Sequence, residues 1–156
     1  RVLVAVDTCF SETPEVQERF NRGLIRVAQA LALQCDAALH LLSAYNLAGV
    51  FAADMNFTEA WIDELRAALQ EPFNTLAEAE GVAPDRRHFV EGGSVQVIRE
   101  QVVALEVDAV VMGVVQPKGL DKLLGDTTER MVGHPPCSVL AVHPHVFETQ
   151  EPWPCN

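Results

Sequence analysis

Two hydrophobic periods alternate along this chain, and that alternation restricts the fold more than any other feature. Val2–Val6 is an unbroken apolar run, as expected of a strand buried on both faces. Val16, Phe20, Leu24, Val27 and Leu31 then recur at helical spacing, after a polar loop that carries Pro14. Residues 38–45 read as a second strand. Trp61, Leu65, Leu69, Phe73 and Leu76 form a second helical stripe, which Pro72 is expected to kink or split. Residues 87–91 read as a third strand and 109–113 as a fourth, with the stripe Val95, Ile98, Val102 and Leu105 between them. Ser94 reads as the N-cap of that helix. Residues 138–142 are a fifth strand. Strands separated by helices cannot form hairpins, so the sheet is expected to be parallel, with Val4, Leu41, Val111 and Leu140 buried.

A chain of 156 residues suffices for one well-buried core and is short for two. Residues 1–146 read as one domain and 147–156 as a flexible tail. Apolar residues make up 49%, but no run is long enough to span a membrane. The net charge of −11 opposes binding to nucleic acid or an anionic membrane surface. Cys9, Cys35, Cys137 and Cys155 are widely spaced, form no CxxC, and read as reduced thiols of a cytoplasmic protein. The start at Arg1 and the ending EPWPCN suggest a piece of a longer polypeptide.

The chemistry-bearing segment is VDAVVMGVVQPKGLDKLLGDTTE, residues 107–129. A strand ends on Gly113, a loop carries Gly119 and Gly125, and Asp126–Glu129 resembles a capping box at a helix start. Strand, glycine loop and helix N-terminus together form the type of cradle that holds phosphate on backbone N–H groups. In a parallel sheet ligands lie beyond the carboxyl ends of the strands, where Asp7, Ala44 and Gly113 fall. His143 and His145, with His134 and Cys137 upstream, have the spacing of a metal pair, but Pro135, Pro136 and Pro144 interrupt the region. Neither a Ser/His/Asp nor a Cys/His arrangement stands out, so no catalytic residue is assigned. The apolar residues of the 46–57 loop (Val50, Phe51, Met55, Phe57) could close over a small apolar ligand.

VLVAVD, ALHLLSAY, EGGS before a helix, and DAVVMG…LLGDTTERM…CSVLAVHP resemble the universal stress protein family from Arg1 to about Pro144. The resemblance is greatest to the C-terminal half of its tandem E-type members. It implies a Rossmann-like, five-stranded parallel sheet of order 3-2-1-4-5 with helices on both faces. It implies ATP or another adenine nucleotide as a ligand, and pairing with a second such domain through the last strand, 138–142. That partner would be another copy or the other half of a tandem chain. By the same resemblance Asp7 would bond adenine or ribose, and Ala44, Met112, Gly113, Gln116, Gly125, Asp126 and Thr127 would line the nucleotide site.

The ATP-binding members of the family carry Gly-x-x-Gly, nine residues, then Gly-Ser/Thr. Here the second glycine is Gln116, residues 117–124 make the spacer eight, and the Ser/Thr position is Asp126. A side chain at Gln116 obstructs close backbone approach to phosphate. Asp126 as an N-cap would take the N–H groups of Thr128 or Glu129 that phosphate needs. Its charge, about 4 Å from a phosphate, would repel it by on the order of 1–4 kcal/mol. Lys118 and Lys122 could offset phosphate charge but read more simply as a solvated loop. The expectation is a non-catalytic stress-response interaction module with a degenerate nucleotide site. The alternatives are a nucleotide-binding switch with at most slow hydrolysis and a carrier of small apolar molecules.

Overall fold

The computed structural model describes residues 1–9, 13–48, 58–114 and 126–147, leaving out the side chain of Asp126. Strands β1 (Val2–Val6), β2 (Leu39–Tyr45), β3 (Arg87–Glu91), β4 (Ala109–Gly113) and β5 (Ser138–Val142) form one sheet of order β3-β2-β1-β4-β5. Every pairing is parallel, with Val4 opposite Leu41 on one side and Val111 on the other. The five strands lie where the alternation of periods places them, in the order that the family resemblance implies.

The helices divide between the two faces. Helices α1 (Pro14–Gln34) and α2 (Glu59–Ala79) cover one, through Phe20, Leu24, Ile25 and Phe73 against Val4, Leu41 and Val111. Helices α3 (Ser94–Ala104) and α4 (Asp126–Gly133) cover the other, through Val97, Ile98 and Met131 against Leu3, Leu42 and Val110. The period of two along each strand supplies both faces with apolar side chains. Helix α1 starts on Pro14, whose missing N–H is an orphan at that position anyway. It ends where Asp36 turns left-handed at φ 50°.

Four local expectations need correction. Leu140 is 41% exposed rather than buried. It faces the α1 side beside Val111, but on β5, the edge strand among the described residues. The N-cap of α3 is Gly93, with Ser94 the first helical residue. Gly92, at φ 147°, makes the turn before it, and a Cβ there would stand 2.8 Å from Cγ2 of Val97. Helix α2 continues through Pro72 rather than splitting there, and its apolar stripe is not buried throughout. Phe73, Leu76 and Ala77 are buried, while Trp61 lies in an exposed N-terminal half. Val16 is likewise exposed, in the first turn of α1.

The two helices of the first face are clamped at one end. Glu80, just past α2, accepts from Arg22 at 2.9 Å and Arg26 at 3.3 Å, both on α1, and Gln29 donates to its carbonyl at 2.8 Å. A 3-10 turn, Pro144–Phe147, then returns the chain to α1. Phe147 lies against Gly23 and makes a tilted ring pair with Phe20 at 5.8 Å. Residues 148–156 of the expected tail, and 49–57 of the expected apolar lid, lie outside the described residues.

Candidate functional site

Strand order reverses between β1 and β4, and a cavity of about 230 Å³ opens there at the carboxyl ends of the strands. Asp7, Ala44, Met112, Gly113 and Thr127 all line it, so the structure brings together five residues named from the sequence. Gln116 and Gly125, with Lys118, Gly119 and Lys122, lie outside the described residues, as does the cap expected of the Asp126 side chain.

Asp7 follows β1 directly. Its Oδ1 accepts the N–H of Cys9 at 2.9 Å, which fixes the turn out of the strand. The carboxylate is open to cleft water but walled by protein. That desolvation raises its pKa, against the lowering effect of the Cys9 N–H. Burial, and then the charge of Asp7, push the Cys9 thiol up as well. Thr8 and Ser43 share a hydroxyl contact at 3.1 Å beneath this turn.

Helix α1 contributes two polar residues that the sequence reading passed over. The Asn21 amide donates to the carbonyl of Asp7 at 2.6 Å and accepts from Gln17 at 3.2 Å. Asn21 is almost fully buried, so this bridge fastens the end of β1 to α1. The signal was present: two amides four residues apart on the face that also carries Phe20 and Leu24.

Gly113 has a packing reason to be glycine. A Cβ there would stand 2.6 Å from Cζ of Phe20, closer still to Cε1, and 3.3 Å from Leu24. Helix α1 therefore presses on the end of β4 at the place where the family pattern has its first glycine. Its carbonyl is bonded from the other face by the buried Thr128, at 3.1 Å, which seats the first turn of α4 on β4. Arg99 of α3 holds the other end of α4, donating to the carbonyls of Arg130 and His134 at 3.3 and 2.7 Å.

A second cavity, of about 560 Å³, lies between α1 and α2 and shares Asp7, Gln17 and Asn21 with the first. Glu18 and Glu71 also line it. Among the described lining residues of the two cavities there is no lysine, arginine, histidine or cysteine. The His143–His145 pair lies outside both cavities. The rings of His143 and His145 stack at 4.8 Å, and Nδ1 of His143 accepts the N–H of His145. Among the described residues no group of three or more His, Cys, Asp or Glu is placed to hold a metal. No described helix is long and apolar enough to cross a membrane.

Three comparisons place this architecture. A universal stress protein E homolog from Haemophilus influenzae is 30% identical over 150 residues, covering 92% of this chain and 48% of that protein. The chain thus spans about half the length of the curated relatives it matches. The crystal structure of the functionally unknown protein PA1789 from Pseudomonas aeruginosa PAO1 superposes with a TM-score of 0.74 at 23% identity, covering 94% of this chain and 48% of that one. A universal stress protein crystallised in complex with cAMP superposes with a TM-score of 0.53 at 23% identity, covering 90% of this chain and 95% of that one. At such identities the structures attest the fold alone. The model of the universal stress protein family matches residues 1–143, and the chain belongs to that family.

Proposed function

We propose that the domain is a non-catalytic, regulatory interaction module of the stress response, which works paired with a second domain of its kind across β5. The observation that carries this reading is the free edge of the sheet. Among the described residues, the edge strand β5 leaves a row of backbone N–H and C=O groups without a strand beside it, and Leu140 stands exposed on it. Val132 and Val146, on α4 and the turn after β5, are also exposed. In the relatives of twice the length the second domain would come from the same chain. Alone, the domain would pair with its copy.

The cleft at the switch point is, in this reading, a nucleotide site altered so that it no longer suits a triphosphate. Its described walls offer a carboxylate and no cation, and the family's second glycine is Gln116. A second reading, an adenine-nucleotide switch, draws on the position of that cleft and on the fold neighbour solved with cAMP. Sedimentation velocity at high micromolar concentration tests the pairing. The chain is expected to sediment as a dimer and the Leu140→Lys variant as a monomer. A monomeric unmodified chain contradicts the reading.

A further inference from the structure

We infer that the segment following Phe147, ETQEPW, is a strap that docks along α1, with Glu148 and Glu151 against the arginines of that helix and Trp153 on the small residues beside them.

The receiving surface is a groove of about 490 Å³ along α1 that shares no lining residue with either cavity at Asp7. Arg19, Arg22 and Arg26 line it at i, i+3 and i+7, so they lie on one side of the helix. Gly23, Val27 and Ala30 give it a shallow apolar floor. Among the described residues no acidic side chain lines it, although the chain as a whole carries −11. Glu80 holds Arg22 and Arg26 from α2, and Glu18 also holds Arg22. Arg19 is exposed and, among the described residues, has no ion pair, even with Glu15 one turn before it.

Phe147 identifies the occupant. It lines the groove itself, against Gly23, and the next residue is Glu148. Arg19 and Arg26 lie four and three residues from Gly23, or about 6 and 5 Å along the helix axis. Glu151 is three residues beyond Glu148, about 10 Å of extended chain, so both glutamates reach an arginine without stretching. Trp153, six residues past Phe147, has a reach of about 20 Å, which exceeds the length of the groove.

Charge alone would not hold such a strap, because exposed ion pairs are weak and every ordered residue loses entropy. Trp153 supplies the apolar area, with its ring on the groove floor and a guanidinium over its face. Pro152 and Pro154 restrict the backbone on either side of it and so lessen the entropy lost on docking. The tether at Phe147 raises the local concentration of the segment, an advantage that an acidic peptide from another molecule lacks. Such a peptide would also meet the repulsion of the whole acidic chain. Docked, the strap keeps Phe147 seated behind Phe20, whose ring borders the cleft at the end of β4.

Acrylamide quenching of Trp153 fluorescence tests this in the full chain carrying Trp61→Phe, under reducing conditions, with the free peptide ETQEPWPCN as reference. The expected quenching constant is at most about half that of the peptide, as for a segment docked at least half the time. Arg19→Glu leaves the Glu80 clamp intact and should move the constant toward the peptide value, as should Glu148→Gln combined with Glu151→Gln. Adding Glu151→Arg to Arg19→Glu should restore protection, and salt at about 1 M should weaken it in the unmodified tail. Quenching as free as that of the peptide overturns the inference. Protection that Arg19→Glu leaves unchanged, or that the reversed charge pair does not restore, places Trp153 elsewhere and overturns it too. Protection that grows with protein concentration puts the segment on a second copy and has the same consequence.

Discussion

Replacing Gly113 by alanine puts a methyl group where the ring of Phe20 already lies. The new Cβ would be 2.6 Å from Cζ of Phe20 and closer to Cε1, well inside van der Waals contact. The backbone itself raises no objection, since Gly113 is in a strand and does not have a positive φ. Alanine would in fact gain about 0.4–1 kcal/mol by restricting the unfolded chain. Against this stands the overpacking, typically about 1–3 kcal/mol. The Phe20 ring is the far end of a side chain, but Phe147 backs it, and Phe147 itself lies against Gly23. Relief therefore has to move the turn at Pro144–Phe147, which is peripheral and yields in part. The net loss should be about 1–2 kcal/mol, or about 2–8 °C in Tm for a domain of this size. A double-mutant cycle isolates the cause. Combining Gly113→Ala with Phe20→Leu should recover on the order of 1 kcal/mol as coupling. If Gly113→Ala is neutral or stabilising, or if Phe20→Leu does not couple to it, the packing explanation of this glycine is wrong. An unchanged stability with altered ligand affinity would favour the phosphate-cradle explanation instead.

Thr128→Val should lose about 1–2 kcal/mol in urea unfolding, because the Gly113 carbonyl loses the donor that the buried Thr128 supplies, while Thr128→Ser should keep most of it. Acid should weaken the sheet at its other end, where Nδ1 of His40 lies 3.0 Å from Nε2 of His88. Burial lowers the pKa of both rings, and for His40 the neighbouring His88, Arg86, Arg1 and N-terminal ammonium add to it. The unfolded chain then binds more protons, so stability is full above the unfolded histidine pKa of about 6.5 and falls as the pH drops from there toward the folded values. Urea unfolding at about pH 7.5 and about pH 5 should show this loss, and the double replacement His40→Gln with His88→Gln should reduce it. An equal loss in that variant would clear the pair of responsibility.

Strand positions were legible because a strand buried on two faces is apolar at every residue, as in Val2–Val6 and Ala109–Met112. Burial at the edge was not. Leu140 reads like Leu41, and only the strand order puts it on the edge strand. Helical stripes report which side of a helix faces the protein but not how far the protein extends, and so Trp61 and Val16 stand exposed at the ends of theirs. In the cleft, Asp7, Ala44, Met112, Gly113 and Thr127 were legible because the carboxyl ends of parallel strands converge. Asn21 and Gln17 were missed because two amides on an otherwise apolar helix face mean little until a buried bridge finds its tertiary partner, here the carbonyl of Asp7. The role of Gly113 was hidden for a similar reason. Its conformation is ordinary, and only the approach of Phe20 forbids a side chain.

In the proposed reading the cleft keeps its place in the fold but no longer suits a triphosphate. Titrating the unmodified chain with Mg-ATP at physiological salt tests that most directly. No binding in the low micromolar range is the predicted result, with recovery of some affinity when Gln116→Gly and Asp126→Ser are introduced together. A low micromolar Kd for the unmodified chain would contradict it.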